Sequence, residues 1–134
     1  MKSKQVLSVE QMKHLQELGL DTSDGSMCWC YALSYKNAKW ELEIYEDVIN
    51  QKRDSAFWEI IPTYTLQDIL DKLPCFIGTH VLTLQKLANS GTCLYMEPYS
   101  RSILNLTESK ELINSAYEML CWCIKNGYVE KEGK

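Results

Sequence analysis

No apolar run in the 134 residues approaches the ~20 needed to cross a bilayer, which argues against a membrane-spanning helix. The opening stretch MKSKQVLSVEQMK also lacks the unbroken apolar core of a secretory signal, so a cytoplasmic location with reduced thiols is expected. Basic clustering is missing too. Lysine and arginine number 14 against 18 acidic residues, a net charge of −4, and the densest basic group is only Lys52-Arg53. A nucleic-acid binder concentrates cations on one face to neutralise phosphates. The acidic balance therefore favours a protein partner over nucleic acid. Only Lys36, Lys39, Lys52 and Arg53, beside aromatic residues, are left for a nucleic-acid accessory role. Histidine is scarce, at two residues, and there is no phosphate-binding glycine loop, nucleophile elbow or HExxH. No enzymatic activity, catalytic residue or cofactor is expected.

What is present is the balance of an ordinary folded domain, 46% hydrophobic and 24% charged. A chain this long fits one domain, 1–134, whose short charged ends, 1–6 and 130–134, are expected to fray.

Local signals divide the chain. Ser8 and Gln11 form a capping box, Leu7 is placed to staple onto Met12, and Val9, Met12, Leu15 and Leu18 make one apolar stripe. Gly19 suits a left-handed cap, which predicts a helix over 9–18. From Met27 the period changes to two, and residues 27–35 and 40–45 read as a hairpin. Residues 46–55, DVINQKRDSA, read as a polar loop, and 57–61 as a third strand closed by Pro62. Thr65 and Asp68 form a second capping box, with Tyr64 placed against Ile69, and Pro74 stops that helix. Strands are predicted over 80–87 and 92–97, and a last helix over 107–126 ending at Asn126-Gly127. The order α-β-β-β-α-β-β-α predicts an α+β fold, an antiparallel sheet of about four or five strands packed by three helices.

The tripeptide Cys-Trp-Cys occurs twice, at 28–30 and 121–123, among six cysteines. On a strand, residues two apart lie roughly 6.6 Å from each other, whereas two thiolates on one zinc approach within about 4 Å. On a helix, residues two apart diverge by about 200°. Neither copy has the turn of a zinc knuckle, so packing in the core is expected and no metal site. The alternative is a small thiol or metal protein using some of Cys28, Cys30, Cys75, Cys93, Cys121 and Cys123.

Trp122 is the more informative residue. With Leu120 at the centre of the buried face, Ile113, Ala116, Tyr117, Cys123 and Ile124 gather around it. Trp122 falls about 200° away, among Glu111, Ser115, Glu118 and Lys125. A tryptophan on a polar face is either an interface anchor, with Glu118 and Lys125 beside it, or is covered by Tyr128 and Val129. Trp29, Tyr31 and Tyr35 with Trp40 offer a second, aromatic surface unless helices cover it. The pairs Glu41/Glu43 and Asp68/Asp71 sit opposite apolar stripes and read as solvated carboxylates. His14 reads as solvated, and His80 as an ordinary strand residue in preference to a partner of Cys75 or Cys93.

The segments SVEQMKHLQELGLD, PTYTLQDILDKLP and SAYEMLCWCIKNGYV, in this order, resemble a class of small uncharacterised bacterial proteins. Many of these lie in prophages and other mobile elements, often in gut bacteria. The resemblance rests on Leu18-Gly19, Pro62-Thr63 with Thr65-Leu66, and Ala116-Tyr117. It implies an α+β fold and transfers no catalytic residue. The expectation is a non-catalytic interaction module of a phage or mobile element, binding itself as a homodimer or a host or phage protein.

Overall fold

The computed structural model describes residues 4–131. Four helices and seven strands follow in the order α1 (Val9–Glu17), β1 (Met27–Ala32), β2 (Glu41–Ile44), α2 (Tyr45–Gln51), β3 (Trp58–Thr63), α3 (Leu66–Lys72), β4 (Phe76–Ile77), β5 (His80–Lys86), β6 (Gly91–Met96), β7 (Ile103–Ser109) and α4 (Leu112–Lys125). The class is α+β. The strands form two antiparallel sheets, a three-stranded one ordered β2-β1-β3 and a four-stranded one ordered β4-β5-β6-β7.

Both capping boxes are present. Ser8 accepts from the Gln11 amide at 3.1 Å while the Gln11 side chain accepts from Ser8, and Thr65 and Asp68 do the same for α3. Leu7, Met12, Tyr64 and Ile69, the residues flanking these boxes, are all fully buried. Gly19, at φ +96°, ends α1, with Leu20 donating to the Leu15 carbonyl at 3.1 Å and burying its own side chain.

One core joins α1, α3 and α4 to the inner faces of both sheets, with Met12, Leu15, Ile61, Ile69, Cys93, Tyr95, Met119 and Leu120 among its members. A smaller cluster of Cys28, Cys30 and Val48 lies on the other side of β1, under α2. The three-stranded sheet is thus covered on both faces.

Four boundaries differ from the sequence reading. Residues 46–55 are not all loop: α2 forms there without a side-chain cap, held by buried Val48 and closed by Lys52 in the left-handed conformation, φ 50°. Pro62 lies inside β3, tolerated because β3 is an edge strand whose missing N–H costs no ladder bond. Residues 107–109 belong to β7, and the last helix begins only at Leu112. Val6 does not fray: it is buried and pairs with Thr65, while Lys4 reaches Asn114 at 3.0 Å. Residues 1–3 and 132–134 of the proposed ends lie outside the described residues.

Candidate functional site

The four-stranded sheet has two faces of opposite character. Strand register aligns Leu82, Tyr95 and Asn105 in one row and Leu84, Cys93 and Thr107 in the next; Leu82, Tyr95 and Cys93 pack in the main core, while Leu84, at the rim, is 37% exposed. The other face carries the rows Phe76–Val81–Met96–Ile103, Thr83–Leu94–Leu106 and Gln85–Thr92–Glu108. None of its apolar members belongs to either core cluster. Phe76 is 65% exposed, Ile103 49% and Leu106 46%, around Leu94 and Thr92, which are buried on the central strand.

Strand β7 shows the inversion most clearly. Its inward residues are polar and bonded. Thr107 donates to the Ser115 carbonyl at 2.6 Å, and Asn105 reaches the Met119 sulfur at 3.6 Å. Ser115, buried beside them, donates to the Gly91 carbonyl at 2.5 Å. Gly91 is required there, because a Cβ would stand 2.8 Å from Leu112. With polar groups satisfied inside, Leu104 and Leu106 are left facing solvent on an edge strand. The sequence alone misses this face because 103–106 carry no assignment and 107–109 are read into the last helix; the alternation of Leu104 and Leu106 with Asn105 and Thr107 is the signal that finds it.

Trp122 is part-buried against the main core, and its ring lies 5.4 Å from that of Tyr128. The cause is the end of α4. Gly127, at φ +79°, lets the Tyr128 amide donate back to the Cys123 carbonyl at 2.8 Å, which folds the tyrosine onto the indole. Glu118 and Lys125 are exposed, whereas Ser115, expected on the same polar side, is buried. The aromatic face expected on β1 is covered only in part: Trp29 packs on the main core and donates to the Leu7 carbonyl at 2.9 Å, the Tyr31 and Trp40 rings lie tilted 5.2 Å apart, and Tyr35 is 71% exposed.

The charged candidates have structural partners. Arg53 forms a two-pronged ion pair with Glu43, 2.7 Å on each arm, and lies 4.5 Å over the Trp58 ring. The arginine's hydrogen bonds hold the Glu43 carboxyl below the usual range, against a smaller opposing effect of burial. Asp68 accepts from Ser26 as well as from Thr65. Asp71 accepts from Gln67 at 2.8 Å. His14 sits edge-on to Tyr117, 6.4 Å away. Cys93 lies opposite Leu84, four residues along β5 from His80, or about 13 Å, too far for a nucleophile pair.

All six cysteines are free thiols, and only Cys75 is exposed. Burial pushes Cys93 up to about 12 and Cys123 to about 11. Cys28 and Cys30 depart from the spacing argument. Their sulfurs lie 3.6 Å apart, because side chains on one face of a twisted strand converge when packed under Val48, Tyr45 and Trp58. Among the described residues, no group of three His, Cys, Asp or Glu side chains is placed to hold a metal ion, and no helix is long and apolar enough to cross a membrane.

No family model, no curated protein and no solved structure matches the chain.

Proposed function

We propose that this protein is a non-catalytic interaction module that associates with a second copy of itself through the outer face of the four-stranded sheet. The observation that carries the reading is the inversion of β7, which turns half-buried Asn105 and Thr107 inward and Leu104 and Leu106 outward. Burying an apolar side chain is favourable by roughly 1.5–3 kcal/mol, so a strand that turns its threonine inward and its leucines outward is stable to best effect when something apolar covers it.

A second copy fits that face in charge. Its three rows hold one ionised group, Glu108 at the end of β7, so two identical faces meet with little like-charge repulsion. Strands β5, β6 and β7, about 4.8 Å apart, with the two-residue β4 beside them, span roughly 300 Å², or about 600 Å² over both partners. That is well under half the standard interface of ~1,600 Å², which places the dimer among weak, reversible ones. Two such sheets stack as in a β-sandwich, ~10 Å apart.

The phage or mobile-element setting and the cytoplasmic location belong to the same proposal, the first supported by the resemblance. Sedimentation velocity across the micromolar to millimolar range tests the association. A rise in sedimentation coefficient with concentration, abolished by Ile103→Glu with an unchanged circular dichroism spectrum, supports it. A constant monomer sinks it, and association that survives Ile103→Glu moves the interface elsewhere.

A further inference from the structure

The two Cys-Trp-Cys segments stand on different backbones, and the thiols differ accordingly. On α4, Cys121 and Cys123 diverge by about 200°. On β1, Cys28 and Cys30 share the face under α2 with sulfurs 3.6 Å apart. Two sulfur bonds of ~2.3 Å to a common atom, with 3.6 Å between the sulfurs, enclose about 100°. A disulfide needs the sulfurs at ~2.05 Å and the Cβ atoms at ~3.8 Å, whereas the strand separates these residues by about 6.6 Å. The strand therefore resists closure of an S–S bond and admits a bridging atom.

No third ligand is at hand. Glu43, opposite Cys28, is paired through both oxygens with Arg53 and also accepts from the Cys30 thiol, and the described residues hold no three-ligand set. A closed tetrahedral zinc site is not built. The centre that fits takes two sulfurs from the protein and brings its own third substituent. Cys30 borders a cavity of about 490 Å³ shared with Trp58, Tyr35 and Ala38, which leaves room for that substituent.

We propose that Cys28 and Cys30 form a dithiol site for a thiophilic trivalent metalloid bearing one organic group, such as an arsenical R–As=O. Each sulfur forms one bond to arsenic, the arsenic–oxygen bond breaks, and the two thiol protons leave with the oxygen as one water. Arsenic stays trivalent and no electron is transferred. Burial favours the protonated thiol at both positions, and this condensation consumes thiols as they stand.

The test incubates the native full-length chain with one equivalent of phenylarsine oxide and maps the adduct by peptide mass spectrometry. One adduct is expected, bridging Cys28 and Cys30, surviving excess monothiol and removed by a small 1,2-dithiol. Cys75→Ala should leave it unchanged, and Cys30→Ala should lower retention at least tenfold. The urea-unfolded chain, which has lost the strand and the helix, should bridge both Cys-Trp-Cys segments. An adduct on another pair, none on the native chain, or one formed only after unfolding would overturn the assignment.

Discussion

Replacing Leu106 with serine separates the stability of one copy from the association of two. Leu106 is 46% exposed and stands beside Leu94, so about half of its side chain is already covered within the monomer. Complete burial of a leucine is favourable by roughly 1.5–3 kcal/mol, and losing the buried half costs the monomer about 1 kcal/mol. The exposed half is covered only in the dimer, and it is lost twice, once per copy. Association should weaken by about 2 kcal/mol, or about 30-fold in Kd. Urea unfolding at low concentration measures the first quantity and sedimentation velocity the second. A monomer loss of 3 kcal/mol or more would show that Leu106 is an ordinary core residue. An unchanged Kd would show that this face meets nothing, and either result refutes the reasoning.

Further outcomes follow from the same packing. Met119→Ala, at a fully buried position of α4 facing Asn105 of β7, should cost about 2–5 kcal/mol in urea unfolding. Thr107→Val removes the hydroxyl that donates to Ser115 and should cost about 1 kcal/mol despite adding a methyl group, read the same way. Glu43 has a folded pKa below its usual 4.5, so its contribution is complete above that value and fades as pH falls through the folded value. In Glu43→Gln the stability measured against pH should therefore fall less steeply on the acid side. With an aromatic disulfide reagent in mildly alkaline buffer, Cys75 should react promptly, and Cys93, Cys121 and Cys123 only on unfolding.

The parts of the fold legible in the sequence are those set by neighbours in the chain. The Ser8 and Thr65 capping boxes and the Gly19 and Gly127 caps each involve residues within five positions, and all four form. The β1–β2 and β5–β6 hairpins are likewise local. Helix α2 escaped because its buried side rests on Val48 alone, too little to give a periodic pattern. Strand β7 escaped because its polar residues face the core and its leucines face out, the reverse of the usual rule. Nor did local patterning reveal that the strands divide into two sheets, since that depends on α1, α3 and α4 entering one shared core.

The candidate sites divide along the same line. Trp122 stood out on a helical wheel, and both its anchoring and its covering readings were visible; Gly127 turns Tyr128 onto it. The outer sheet face depends on register between β5, β6 and β7, so no single segment discloses it. The approach of Cys28 to Cys30 was missed because ideal strand spacing describes backbones, and side chains packed under Val48 converge beyond it.

Methyl resonances followed by NMR on dilution bear most directly on a sheet that wets its leucines to meet its own copy. Signals from Ile103, Leu94 and Leu106 should move together with concentration, while Leu15, Leu120 and Ile69 in the interior stay fixed. Resonances of the first group that hold still from the most concentrated sample to the most dilute would contradict the account.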